Sequence, residues 1–145
     1  MTPSIPNNDD VNFFHTSIEN VCNKHDKNYY PDFKKQCDEY FYLPHRDEPR
    51  GEGGIFFDHL NNNNFDKDFN FIHDFGEDIL TTICTIIEKR KNKSWSQNEK
   101  DIQLFKRGRY VEFNLLWDRG TLFGLKTGGS TEAILMSMPP TAKWD

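Results

Sequence analysis

Five histidines are the side chains best suited to hold a metal or move a proton: His15, His25, His45, His59 and His73. His15 and His45 stand on or beside two successive apparent helices, thirty residues apart. They can share a divalent metal only if those helices pack together, and a zinc-type site needs a third or fourth ligand. Otherwise they are helix-surface or helix-end histidines. Cys22, Cys37 and Cys84 form neither a CxxC pair nor an even disulfide framework. They read as small buried hydrophobes in a reducing, cytoplasmic setting.

A second group is cationic. Arg107, Arg109 and Arg119, with Lys106 and Lys126, border a run carrying Tyr110, Phe113, Trp117 and Phe123. Arginine forks bind carboxylates in pairs of hydrogen bonds. The aromatics add flat apolar area, so the combination suits a flat aromatic ligand carrying carboxylates. An ordinary sheet with charged edges reads the same way. Gly128-Gly129-Ser130 can bring backbone N–H groups to an anion, or simply turn the chain. No GxxxxGK[ST], HExxH or GxSxG string is present.

These residues need elements to hold them. Asp9 and Asp10 suit a helix start, and Phe14, Ile18, Val21 and Cys22 then form one helical stripe. Pro31 opens a second helix, with Phe33, Cys37, Tyr40 and Phe41 on one face and Pro44 at its end. Residues 45–54 are a Gly/Pro-rich loop, and Ile55-Phe56-Phe57 has strand composition. Asn61 to Asn64 is a surface loop. Residues 66–92 form the longest helical pattern, with Phe69, Ile72, Ile79, Ile83 and Ile86 as its expected buried face and a basic, solvated last turn. Ser96-x-x-Glu99 is a capping box that opens a short helix through Phe105. From residue 110 the pattern predicts three strands with turns at Asp118-Arg119-Gly120-Thr121 and Gly128-Gly129, an antiparallel meander. Helices and strands are segregated, which makes the class α+β.

Composition bounds the rest. The 145 residues carry a net charge of −5, which argues against a general nucleic-acid binder. Thirteen Phe and an aromatic share of 14% argue against wholesale disorder. No run of apolar residues is long enough to span a membrane, and the first residues have no signal-peptide pattern.

Three long strings go beyond pattern. The first is Tyr29-Tyr30-Pro31-x-Phe33-Lys34-Lys35-x-Cys37-Asp38-Glu39-Tyr40-Phe41. The second runs from Leu43-x-His45-Arg46 to Gly53-Gly54-Ile55-Phe56-Phe57-Asp58. The third runs from Arg107-Gly108-Arg109-Tyr110-Val111-Glu112-Phe113-Asn114-Leu115 through Asp118-Arg119-Gly120-Thr121 to Met138-Pro139-Pro140. Together they resemble oxygen-dependent coproporphyrinogen III oxidase over nearly the whole chain.

The resemblance implies an antiparallel sheet flanked by helices, in a homodimer. It implies oxidative decarboxylation of two propionates of coproporphyrinogen III to vinyls with O2, giving protoporphyrinogen IX, with no organic cofactor. By position, His15 and His45 resemble ligands of a divalent metal such as Mn2+. Gly128, Gly129 and Ser130 match a substrate-contacting Gly-Gly-Arg string, with Ser130 in place of the charged residue. Residues 110–145 match a dimer-contact segment, and Asp118 and Arg119 match charged positions with a structural or substrate-orienting role.

The resemblance also shows departures. Gln36 stands where Trp is usual, Glu52 where a small aliphatic is usual, and His59 where Asp is usual. The family's members are about twice as long, and the histidine that serves as their proton donor lies upstream of the matched part. Residues 1–145 are thus expected to be the C-terminal half of one domain, with no catalytic residue of its own. Such a half is expected to be inactive alone, and its low apolar share fits a half-core that needs a partner surface. The partner is a second copy or a separately encoded N-terminal half. A non-enzymatic remnant is the alternative.

Overall fold

The computed structural model describes residues 1–3 and 5–144; Ser4 and Asp145 lie outside the described residues. Helix α1, Asn8–His25, begins where the Asn7 side chain accepts from the Asp10 N–H. Asp9 and Asp10 therefore sit in the first turn, at the positive end of the helix, rather than at the cap. The expected stripe of Phe14, Ile18, Val21 and Cys22 is buried. Helix α2, Tyr29–Tyr40, buries Tyr29, Phe33 and Cys37. Helix α3, Phe65–Arg90, runs antiparallel to α1. Three contacts fix that direction: Asp10 with Arg90, Ser17 with Thr82 at 2.6 Å and Asp78 at 2.9 Å, and His25 with Asp74 at 3.0 Å.

The core is aromatic. Cys22, Tyr29, Phe33 and Phe71 form its buried centre, with Ile55, Phe57 and Phe75 packed against it. Tyr29 lies 4.7 Å from Phe71 and 4.9 Å from Phe33 between ring centroids. The buried face of α3 differs from the expected one. Phe71 and Thr82 are buried, while Phe69 and Ile72 are exposed. The apolar residues of α3 span more than one face, and α1 covers the face that runs from Phe71 through Thr82 to Arg90.

The basic last turn of α3 is also not simply solvated. Arg90 donates from Nε and Nη2 to the two Asp10 oxygens, at 2.6 and 2.8 Å.

An antiparallel sheet is present as a two-stranded ladder, β1 Tyr42–Leu43 and β2 Glu48–Pro49, with Leu43 opposite Glu48. With helices around it, the chain is α+β. Residues 55–57 form no ladder; Phe56 N–H donates instead to the Phe33 carbonyl at 3.1 Å.

The expected meander of residues 110–145 is absent among the described residues: helices occupy 110–116, 119–126, 131–134 and 135–137, with turns and irregular chain between and after them. Helix α4, Gln97–Leu116, starts at the Ser96–Glu99 capping box and continues past Phe105. Nothing in its sequence stops it, because it has no Pro, Gly108 is its one Gly, and Gln, Glu, Lys, Leu and Arg hold more than half of its other positions. A helix also satisfies its backbone bonds internally, whereas a strand needs neighbours. The two turn signals act as caps. Asp118 accepts from Thr121 N–H and starts α5, Arg119–Lys126; Gly128, at φ 72°, follows its end. Ser130 starts α6, Thr131–Ile134, and a 3₁₀ turn over Leu135–Ser137 follows. Gly108 permits the tail to return, since a Cβ there would lie 2.5 Å from the Lys143 carbonyl oxygen.

Candidate functional site

The loop between β1 and β2 and the stretch after β2 meet helix α4, and the charged side chains collect there. Glu112, on α4, receives two hydrogen bonds from Arg46, Nε at 3.0 Å and Nη2 at 2.7 Å. His45 Nε2 lies 2.7 Å from the same carboxylate. The Arg46 bonds first, then His45, hold the Glu112 carboxyl down at about 2 against the opposing effect of burial. Trp117 Nε1 donates to His45 Nδ1 at 3.2 Å. An indole N–H only donates, so His45 carries its proton on Nε2 and gives it to Glu112.

His15 has the same tautomer for the same reason. Its Nε2 lies 2.8 Å from the Glu52 carbonyl oxygen, which only accepts. Its Nδ1 therefore accepts from the Tyr30 hydroxyl at 3.0 Å. Burial, above all, raises the Tyr30 pKa and keeps that hydroxyl protonated.

The lone pair of each imidazole is thus occupied by an internal donor. The two rings also have different neighbours, and no cluster of three His, Cys, Asp or Glu among the described residues could hold a metal. As they stand, His15 and His45 do not fit a shared divalent metal. Coordination would have to displace Tyr30 from one and Trp117 from the other.

Two of the three expected arginines are paired within the chain. Arg109 Nε donates to Glu48 at 2.7 Å, and Arg119 Nη2 donates to Asp58 at 2.6 Å. Arg107 Nη2 donates to the Thr2 carbonyl at 3.2 Å. Arg119 also lies over the Tyr40 ring at 4.6 Å. Asp118 accepts from the Tyr40 hydroxyl at 3.0 Å and from Thr121 N–H at 2.7 Å. Burial alone would raise the Asp118 pKa, but these bonds outweigh it and the value lies below the ordinary one.

Gly128, Gly129 and Ser130 are exposed and lie apart from this cluster. Gly129 N–H donates to the Gly124 carbonyl at 2.9 Å, and the Ser130 hydroxyl caps α6.

Arg50, a residue that sequence patterning passes over as part of a loop, sits among aromatic rings and is in no ion pair among the described residues. Its guanidinium lies 4.3 Å from the Phe41 ring centre, 4.9 Å from Phe113 and 5.3 Å from Tyr110. Its Nε is buried and has no hydrogen-bond partner among the described residues. Burial, above all, lowers its pKa from the ordinary value. Arg50 lines a cavity of about 290 Å³ whose other walls include Phe14, Ile18, Phe41, Phe75 and Ile79. Met1, Thr2 and Asp38 are its polar members. A mostly apolar cavity with a buried, unsatisfied guanidinium nitrogen suits an apolar group that ends in a carboxylate. No periodicity marks Arg50; the only sequence signal is a cation set between Pro49 and Gly51 beside aromatic runs.

Comparison with known proteins assigns the family. Residues 1–145 match the family described as coproporphyrinogen III oxidase. The chain belongs to the coproporphyrinogen III oxidase family.

It is 57% identical over 144 residues to proteins named oxygen-dependent coproporphyrinogen-III oxidase from Francisella tularensis subsp. holarctica and from Francisella philomiragia. A Francisella tularensis subsp. novicida relative of the same name is 56% identical. In each case the match covers 99% of this chain and 47% of the relative. This coproporphyrinogen oxidase family chain therefore spans about half the length of the curated relatives it matches. Among the described residues no helix is long and apolar enough to cross a membrane.

Proposed function

We propose that this chain is the C-terminal portion of an oxygen-dependent coproporphyrinogen oxidase and supplies one carboxylate-holding wall of its substrate site. The observation that carries this reading is the unpaired Arg50 guanidinium, set among aromatic rings in a cavity of about 290 Å³. That volume takes one propionate arm and its pyrrole edge, not a whole macrocycle, so the remaining walls belong to other chain.

In the reaction, each propionate loses CO2 and becomes a vinyl. One O2 accepts the two electrons released and, with two protons, leaves as H2O2. Arg50 holds the carboxylate of the arm, and its aromatic surround excludes water from it. Asp118, fixed by Tyr40 and Thr121, keeps α5 and its Arg119 beside the same aromatic wall. Gly128, Gly129 and Ser130 contact substrate in the assembled protein; the support is their match to the family's Gly-Gly-Arg string. The partner is a second copy or a complementary N-terminal half, which meets residues 110–145. Three unpaired thiols support a cytoplasmic setting.

The test is conversion of coproporphyrinogen III under air. The chain alone gives no turnover. Adding the upstream half of a Francisella relative restores it, and Arg50→Ala in that mixture raises KM roughly 10- to 100-fold, the loss of one charge-assisted contact of about 1.5–3 kcal/mol. Turnover by the chain alone overturns the half-site reading. No turnover in the mixture identifies a non-enzymatic remnant, and an unchanged KM removes Arg50 from the site.

A further inference from the structure

We infer that Glu48 and Arg109 are positioning residues for Arg50: their ion pair holds the Arg50 guanidinium against the rings of α4, where it meets a carboxylate. The role rests on the reading of Arg50 as the carboxylate-holding group.

Arg50 reaches its three rings from two directions. Phe41 stands beside it in the hairpin. The Arg50 N–H donates to the Phe41 carbonyl at 2.9 Å and continues the register that sets Tyr42 against Pro49 and Leu43 against Glu48. Phe113 and Tyr110 belong to α4, which is not part of that ladder. A second constraint must therefore set the spacing between hairpin and helix at this point, and the attraction of a cation to a ring face depends on that spacing.

Glu48 supplies it. Arg109 Nε donates to Glu48 Oε1 at 2.7 Å. The carboxylate stands two residues before Arg50, and the guanidinium comes from the residue before Tyr110. The pair thus spans the gap beside the contacts it sets. Arg109 is mostly buried, and its Nη1 also lies 3.6 Å from Glu112 Oε1 on the next turn of α4, which keeps it in place on the helix. Pro49 makes the link stiff: its ring fixes its own φ and confines Glu48 to extended backbone. A shift at Glu48 passes to Arg50 instead of being absorbed between them.

The other anchor of the hairpin has a different reach. Arg46 and His45 bind Glu112 from the loop, four and five residues before Arg50. They hold the loop, but β2 lies between them and Arg50.

Nuclear magnetic resonance of the full chain with isotope-labelled arginine tests this. The Arg50 Nε–H, buried and close to the Phe41 ring, gives a ring-shifted resonance identified by its loss in Arg50→Ala. Glu48→Gln keeps the side-chain shape and removes the charge, and it moves this resonance toward the ordinary arginine position. Glu112→Gln leaves it in place. In the air oxidation of coproporphyrinogen III by the chain with the upstream half of a Francisella relative, Glu48→Gln raises KM roughly 3- to 10-fold with kcat unchanged. Added to Arg50→Ala it raises KM no further, because no guanidinium remains to be placed. A resonance that does not move in Glu48→Gln overturns the inference. So does an equal shift in Glu112→Gln, which would give the role to the whole joint, and so do KM losses that add in the double variant. If Arg50→Ala leaves KM unchanged while Glu48→Gln still moves the resonance, the positioning stands and the carboxylate reading falls. With no turnover in the mixture, the resonance alone decides.

Discussion

Phe71 and Phe123 are the same residue type on two helices of one chain, yet Phe71 is 0% exposed and Phe123 69%. The difference holds for their regions. Around Phe71, helices α1, α2 and α3 enclose a shared aromatic core, tied by contacts between distant residues such as Ser17 with Thr82. Around Phe123, residues 117–144 are held by caps and polar contacts rather than by an apolar core: Asp118 and Ser130 as caps, the Gly128 turn, and bonds to distant residues such as Tyr40 with Asp118 and Arg119 with Asp58. Leu116, Trp117 and Met136 stay exposed with Phe123. A helix can therefore form by capping and propensity where no core exists, but only the first region gains from burial.

Truncating each phenylalanine gives the largest contrast. Phe71→Ala leaves a void among Tyr29, Phe33 and Phe57 and costs about 3–5 kcal/mol. Phe123→Ala changes stability by no more than about 0.5 kcal/mol. Urea unfolding of the two variants measures both. Comparable losses would show that residues 117–144 share the core after all.

The same contrast explains what was legible in the sequence. The α1 stripe at Phe14, Ile18, Val21 and Cys22 could be read because one face of one helix is buried and its period shows directly. The Ser96–Glu99 cap could be read because it is complete within four residues. Residues 110–126 could not, because their alternation and their turn residues fit a hairpin and a capped helix equally well. Asp118 and Ser130 serve in either. The choice depends on whether neighbouring strands exist, and that is not a local property. Arg50 was hidden for a related reason: two of its three aromatic neighbours, Tyr110 and Phe113, come from α4, far away in the chain.

The joint between the regions is the next point to break. Glu112 ties α4 to the loop through Arg46 and His45. Glu112→Gln removes the charge from these bonds and costs about 2 kcal/mol. The pH dependence has a definite sign. The folded pKa, about 2, lies below the unfolded value of 4.5. The contribution is therefore complete above pH 4.5 and is lost as the pH falls toward 2. Denaturation midpoints across that window should drop for the native chain and flatten for the Gln variant. Parallel curves would mean that Glu112 is not the joint.

The caps give the smallest effects and separate the two ends of the capped helices. Ser96→Ala removes the bond to Glu99 N–H and weakens the 20-residue α4, at about 1 kcal/mol. Ser130→Ala removes a bond of the same type, at 3.4 Å, from a helix of four residues. That helix adds little to global unfolding, because it buries none of its residues. Its loss should be invisible in urea and should appear only as faster amide exchange at Ala133, whose N–H loses its acceptor. If Ser130→Ala instead lowered the global midpoint as much as Ser96→Ala, the tail would belong to the cooperative unit, and the division between a region with an apolar core and one held by caps and polar contacts would fail at its weakest element.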